Sequence, residues 1–138
     1  MLLRKSRSRK RSGAAVVEFA VLVPFLTFLF VIAMDWARLM YFSIEVNECA
    51  RSGALYASDS TYAAQSRYAN VRDAAMAEAP ELAGTATVTS VQTASGGNSY
   101  VKVTVAVPFN TITNFPGVPS SQTVSRSVEM RAAPLIAR

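Results

Sequence analysis

Arg11-Ser12-Gly13-Ala14-Ala15-Val16-Val17-Glu18-Phe19-Ala20-Val21-Leu22-Val23-Pro24 is the stretch on which the reading of this chain turns. Six of the fourteen Lys and Arg lie at or before Arg11, and an apolar run then continues to Met34. Glu18 is the one charged residue inside that run. A carboxylate near a bilayer centre costs a few kcal/mol, so its presence there asks for a function.

The charge is unevenly spread. The formal net charge of the 138 residues is +5, yet from Ala14 onward eight basic residues face nine acidic ones. The positive balance therefore belongs to a leader of residues 1–13. A basic tail can bind nucleic acid, but here it abuts an apolar span, where positive charge is the ordinary signal for a cytoplasmic N-terminus. We expect no nucleic-acid partner.

Residues 14–34 are interrupted only by Glu18, Pro24 and Thr27. As a helix they would measure about 30 Å, the thickness of a hydrocarbon core. A cleaved signal peptide is the competing reading, with Val31-Ile32-Ala33 as its small-residue site. The length of the run, and a helical pattern that continues past Ala33, favour a transmembrane helix. Pro24 removes a backbone donor and frees the Ala20 carbonyl, so a kink is expected there. A segment that partly melts when helices pack together is the alternative.

Cleavage after Gly13 would create a new α-amino group on Ala14. Glu18 lies four residues further, on the same helix face. An amine at the apolar end of one subunit and a carboxylate in the next would neutralise each other, favouring ordered assembly. Alternatively, Glu18 simply reaches the headgroups.

Basic leader, Gly13, an apolar start and a Glu at the fifth position after the glycine resemble the type IV prepilin processing site. The string from Gly13 to Pro24 is similar, more narrowly, to the TadE/TadG-like family of minor pseudopilins of the tight-adherence (Flp) pilus. That family's acid, small residue and arginine after the span are matched by Asp35, Ala37 and Arg38. Its Ala-Arg-x-Gly-Ala-Arg string is matched by Ala50-Arg51-Ser52-Gly53-Ala54, with Leu55 in place of the last arginine. The resemblance covers roughly residues 10–57. It implies a prepilin peptidase cutting between Gly13 and Ala14, with Glu18 and Phe19 serving processing or assembly recognition. It also implies pilins, pseudopilins and the pilus assembly platform as partners, beside inner-membrane lipid. The expected localisation is the bacterial inner membrane, single-pass, with a cytoplasmic N-terminus and a periplasmic or extracellular C-terminal domain. The other reading kept open is an uncleaved signal-anchor protein whose periplasmic domain binds a ligand or partner.

Past the span, helical pattern continues over residues 35–57. Leu39, Phe42, Val46, Cys49, Gly53 and Tyr56 form one apolar stripe. It is expected to dock on the chain's own domain; packing on a partner pilin helix is the alternative. Asp35 with Arg38, and Glu48 with Arg51, have the i,i+3 spacing of exposed ion pairs. Residues 58–138 read as a small α+β domain. Asp59-Ser60-Thr61 caps a second helix over 62–79, stopped by Pro80. Strand composition covers 85–93, Ser95-Gly96-Gly97-Asn98 signals a turn, and residues 100–107 alternate up to Pro108. Residues 108–121 read as a loop, and 122–131 alternate again, with Val124, Val128 and Met130 on one side. Three antiparallel strands covering a helix is the expected architecture.

The chain contains no histidine and one cysteine, Cys49. That excludes histidine-based acid–base catalysis, Cys/His metal sites and internal disulfides. Asp59, Asp73, Glu78 and Glu81 have no recognisable acid–base partners, and Gly96-Gly97 is too short for a phosphate loop. No enzyme activity, cofactor, metal or small-molecule substrate is expected. Cys49 reads as a small buried hydrophobe, with an intermolecular disulfide as the alternative.

Overall fold

The structure is a computed structural model that describes residues 12–113 and 120–133. Residues 1–11 of the basic leader, and 114–119 of the expected loop, lie outside the described residues. The fold is α+β, in the order α1 (Ser12–Ser58), α2 (Ser60–Gln65), α3 (Val71–Met76), β1 (Thr87–Ser95), β2 (Asn98–Asn110) and β3 (Ser121–Arg131), with a 3₁₀ turn at Pro80–Leu82 before the strands. The chain divides into two compact units after Met34, a point that falls within α1.

The first unit is the apolar half of α1. Its large side chains, from Val16 to Met34, are mostly exposed. A helix satisfies its own backbone, which is what an apolar surrounding demands. The helix runs on through Pro24. One turn beyond it, the Thr27 hydroxyl donates to the Val23 carbonyl at 2.9 Å, an i−4 bond that commonly accompanies bending.

In the second unit, the rest of α1 lies against a three-stranded antiparallel sheet of order β1-β2-β3. Gly96 and Gly97 both have positive φ (61° and 79°), and Ser95 pairs with Asn98, so β1 and β2 join through a two-residue turn that glycine alone enters freely. Central β2 carries the inward face. Val101, Val103, Val105, Val107 and Phe109 are buried there, each worth about 1.5–3 kcal/mol of apolar burial. They meet Val46, Cys49, Ala50 and Ala54 of α1, with Val124 and partly buried Val128 and Met130 from β3. The expected α1 stripe thus docks on the chain's own domain. Beyond partly buried Val88, β1 is exposed along its length.

Three expectations are corrected. The helix expected over 62–79 is broken. Asp59 caps α2 by accepting the Thr61 and Tyr62 N–H groups at 2.8 and 3.2 Å. The chain then leaves helix at Ser66 and restarts at α3, where Asn70 accepts the Asp73 N–H at 2.9 Å. Ser66 and Asn70 offer side-chain hydrogen bonds that compete with the helix, and the Tyr56 hydroxyl pins the irregular segment by donating to the Tyr68 carbonyl at 3.2 Å. Second, β1 begins and ends two residues later than expected.

Third, Pro108 does not end β2, which continues to Asn110. Ala132 donates to the Ser99 carbonyl and Thr111 to that of Ser120, so odd-numbered residues of β2 exchange hydrogen bonds with β3. The Pro108 nitrogen therefore faces the other side. There β1 has already ended, its first residue Thr87 pairing with Ala106. No ladder bond is lost, which is the condition under which a strand admits proline.

Candidate processing segment and domain latch

Gly13, Ala14, Glu18 and Phe19 all lie in the first turns of α1, and all are exposed. Nothing lies within 4 Å of where a Cβ on Gly13 would stand, so crowding does not demand glycine there. Ala14 and Glu18 are one turn apart on the same face.

The residues that follow the span behave differently. Asp35 was expected to form an exposed pair with Arg38, and it is buried. Its carboxylate accepts the backbone N–H of Ile112 at 3.0 Å and of Thr113 at 2.9 Å. It also accepts the Thr113 hydroxyl and a bond from Arg38 at 3.1 Å. The Thr113 hydroxyl, then the Ile112 and Thr113 amides, hold its pKa down to about 2, against burial and with help from Arg38. Arg38 also stands 5.3 Å from the ring centroid of Phe109, and Phe42 packs on that ring at 5.3 Å. Asp35 and Arg38 therefore fasten the end of β2 and its following turn to α1. An Asp at this position gave the sequence reading no long-range partner, because Thr113 lies 78 residues away.

Arg51 keeps the expected exposed pair, 3.6 Å from Glu48. At Gly53 the domain closes tightly on α1. A Cβ there would stand 3.1 Å from the Ala75 Cβ of α3 and 3.2 Å from Cγ1 of Val103 on β2. Beside it the Ser52 hydroxyl donates to the Ala74 carbonyl at 3.0 Å. One further anchor escaped the sequence reading. Arg126 occupies the inward register of β3, opposite Val105, and donates to the Ser43 hydroxyl of α1 at 2.8 Å. Its signal was the alternation Val124-x-Arg126-x-Val128, which puts a guanidinium on the valine face.

Cys49 is free and buried. Burial chiefly, with Glu45, Glu78 and Glu81 nearby, pushes its thiol up to about 11. The pKa of Glu45 is raised by burial and by its hydrogen bond and repulsion with Glu81. Among the described residues no group of three or more His, Cys, Asp or Glu is placed to hold a metal ion.

Among the described residues one helix, near the N-terminus, is long and apolar enough to cross a membrane. It suggests a single-pass membrane protein with a small α+β domain. Residues 13–55 match the family model described as TadE-like protein, the family whose motifs the sequence resembles. That segment of the chain is TadE-like, and the match implies involvement in tight-adherence pilus systems. No curated protein and no solved structure matches the chain.

Proposed function

We propose that this chain is a minor pseudopilin-like structural component of tight-adherence (Flp) pilus biogenesis. The observation that carries the reading is the TadE-like match over residues 13–55, which begins at the glycine preceding Glu18 by five positions. A prepilin peptidase cuts between Gly13 and Ala14 and removes the basic leader. Residues 14–34 hold the product in the inner membrane, and residues 58–138 face the periplasm or exterior. The exposed apolar side chains of residues 14–34 are available to other pilins and the assembly platform. The new Ala14 amine of one subunit then neutralises Glu18 of another, so two charges that are costly alone in an apolar filament interior become favourable together.

Intact mass and N-terminal sequencing of the membrane-extracted protein test the processing step. An N-terminus at Ala14 is expected. Recovery of the chain starting at Met1 would overturn processing, and a start at Met34 would assign the cut to ordinary signal peptidase. Gly13→Ala is expected to block maturation. Glu18→Ala is expected to impair processing or assembly while leaving membrane insertion intact; normal pili in that strain would sink the charge-pairing account.

A further inference from the structure

The apolar exposure of α1 does not stop where the spanning run stops. Within the domain unit, Trp36, Met40, Tyr41 and Ile44 are 59%, 52%, 73% and 63% exposed. Their spacing, i, i+4, i+5 and i+8, puts them on one face of the helix. On the opposite face Leu39, Phe42 and Val46 pack on the domain core, so the exposed four have no cover from their own sheet. One turn further along the same side, the surface becomes charged at the exposed Glu48–Arg51 pair.

We propose that this face seats in the headgroup layer of the bilayer on the side of the exported domain. The inference rests on the reading of residues 14–34 as membrane-spanning. Three observations select lipid as the occupant. The face carries a Trp and a Tyr directly after an apolar span, the composition of a membrane–water interface. Arg38, the one charged residue between Trp36 and Ile44, is engaged by Asp35 and stands over the Phe109 ring of the domain, so the face itself carries no charge. Finally, the 29 residues from Val16 to Ile44 would measure about 43 Å as helix, more than the hydrocarbon core alone and comparable with a bilayer including its headgroup regions. The Glu48–Arg51 pair then marks where water begins.

Trp36 is the chain's only tryptophan, so its fluorescence reports on this face without engineering. The full chain is reconstituted in phosphatidylcholine–phosphatidylglycerol vesicles, and flotation establishes insertion. Trp36 is expected to be quenched by lipids brominated near the headgroup end of their chains more than by lipids brominated near the methyl ends. It should also resist acrylamide, unchanged as lipid is added in excess. In a Trp36→Phe, Ile44→Trp double variant the new indole is expected to give the same ranking. A floating chain whose indole is quenched freely by acrylamide at either position overturns the proposal. So does shielding that disappears on dilution with lipid, which would assign the face to a second copy. A chain that does not float at all overturns the spanning reading itself, and with it this one.

Discussion

Thr113 donates its backbone N–H to the carboxylate of Asp35 at 2.9 Å and adds its own hydroxyl, joining the turn after β2 to the first domain residue of α1. With the Ile112 amide and Arg38, four donors converge on one buried acid.

Because Asp35 is held at about 2, against an ordinary 3.8, the unfolded chain binds more protons than the folded one between those values. Its stabilisation is fully present above about pH 4 and is lost as pH falls through about 2. Asp35→Asn is expected to lower the thermal midpoint of the full chain in detergent at pH 7. The same variant should flatten the pH dependence of stability between about pH 4 and 2. An unchanged acid limb would remove this carboxylate from the latch.

Glu45 is shifted in the opposite sense, raised by burial and by Glu81. Its folded form holds a proton more tightly, so its charge works against folding as pH rises above the ordinary glutamate range. Glu45→Gln is expected to raise the thermal midpoint at pH 7. The gain should vanish at a pH low enough to protonate Glu45 in both states. Parallel melting curves at the two pH values check both parts.

At Gly53 the helix preference for alanine, worth up to about 1 kcal/mol, opposes a contact at 3.1 Å that must give by a few tenths of an ångström. Gly53→Ala is therefore expected to change stability little. Gly53→Val must push Ala75 and Val103 apart and is expected to cost about 1–3 kcal/mol. Denaturant titration of both variants would reveal whether α3 and β2 truly crowd this point.

Cys49 has no accessible surface, and its thiol is pushed up to about 11. A maleimide is expected to label the folded chain slowly at neutral pH and to label it fully once denaturant is added. Rapid labelling of native protein, or a disulfide-linked dimer on non-reducing gels, would contradict the burial.

The local chemistry of the chain was legible without a structure. The apolar run, the i,i+3 and i,i+4 stripe on α1, Asp59 as a cap, the Gly96-Gly97 turn and the valine alternation of β2 all follow from periods of 3.6 and 2 and from residue-specific backbone freedom. What tertiary structure alone decided are matters of who lies opposite whom. Pro108 is admitted to β2 because β1 has already ended on the side its nitrogen faces. The expected second helix breaks because Ser66 and Asn70 find local hydrogen bonds and Tyr56 reaches Tyr68 across a gap of twelve residues. Asp35 becomes a buried latch because β2 delivers Ile112 and Thr113 to it from the far end of the chain. Periodicity records which face a side chain is on; the partner waiting at that face is set by packing.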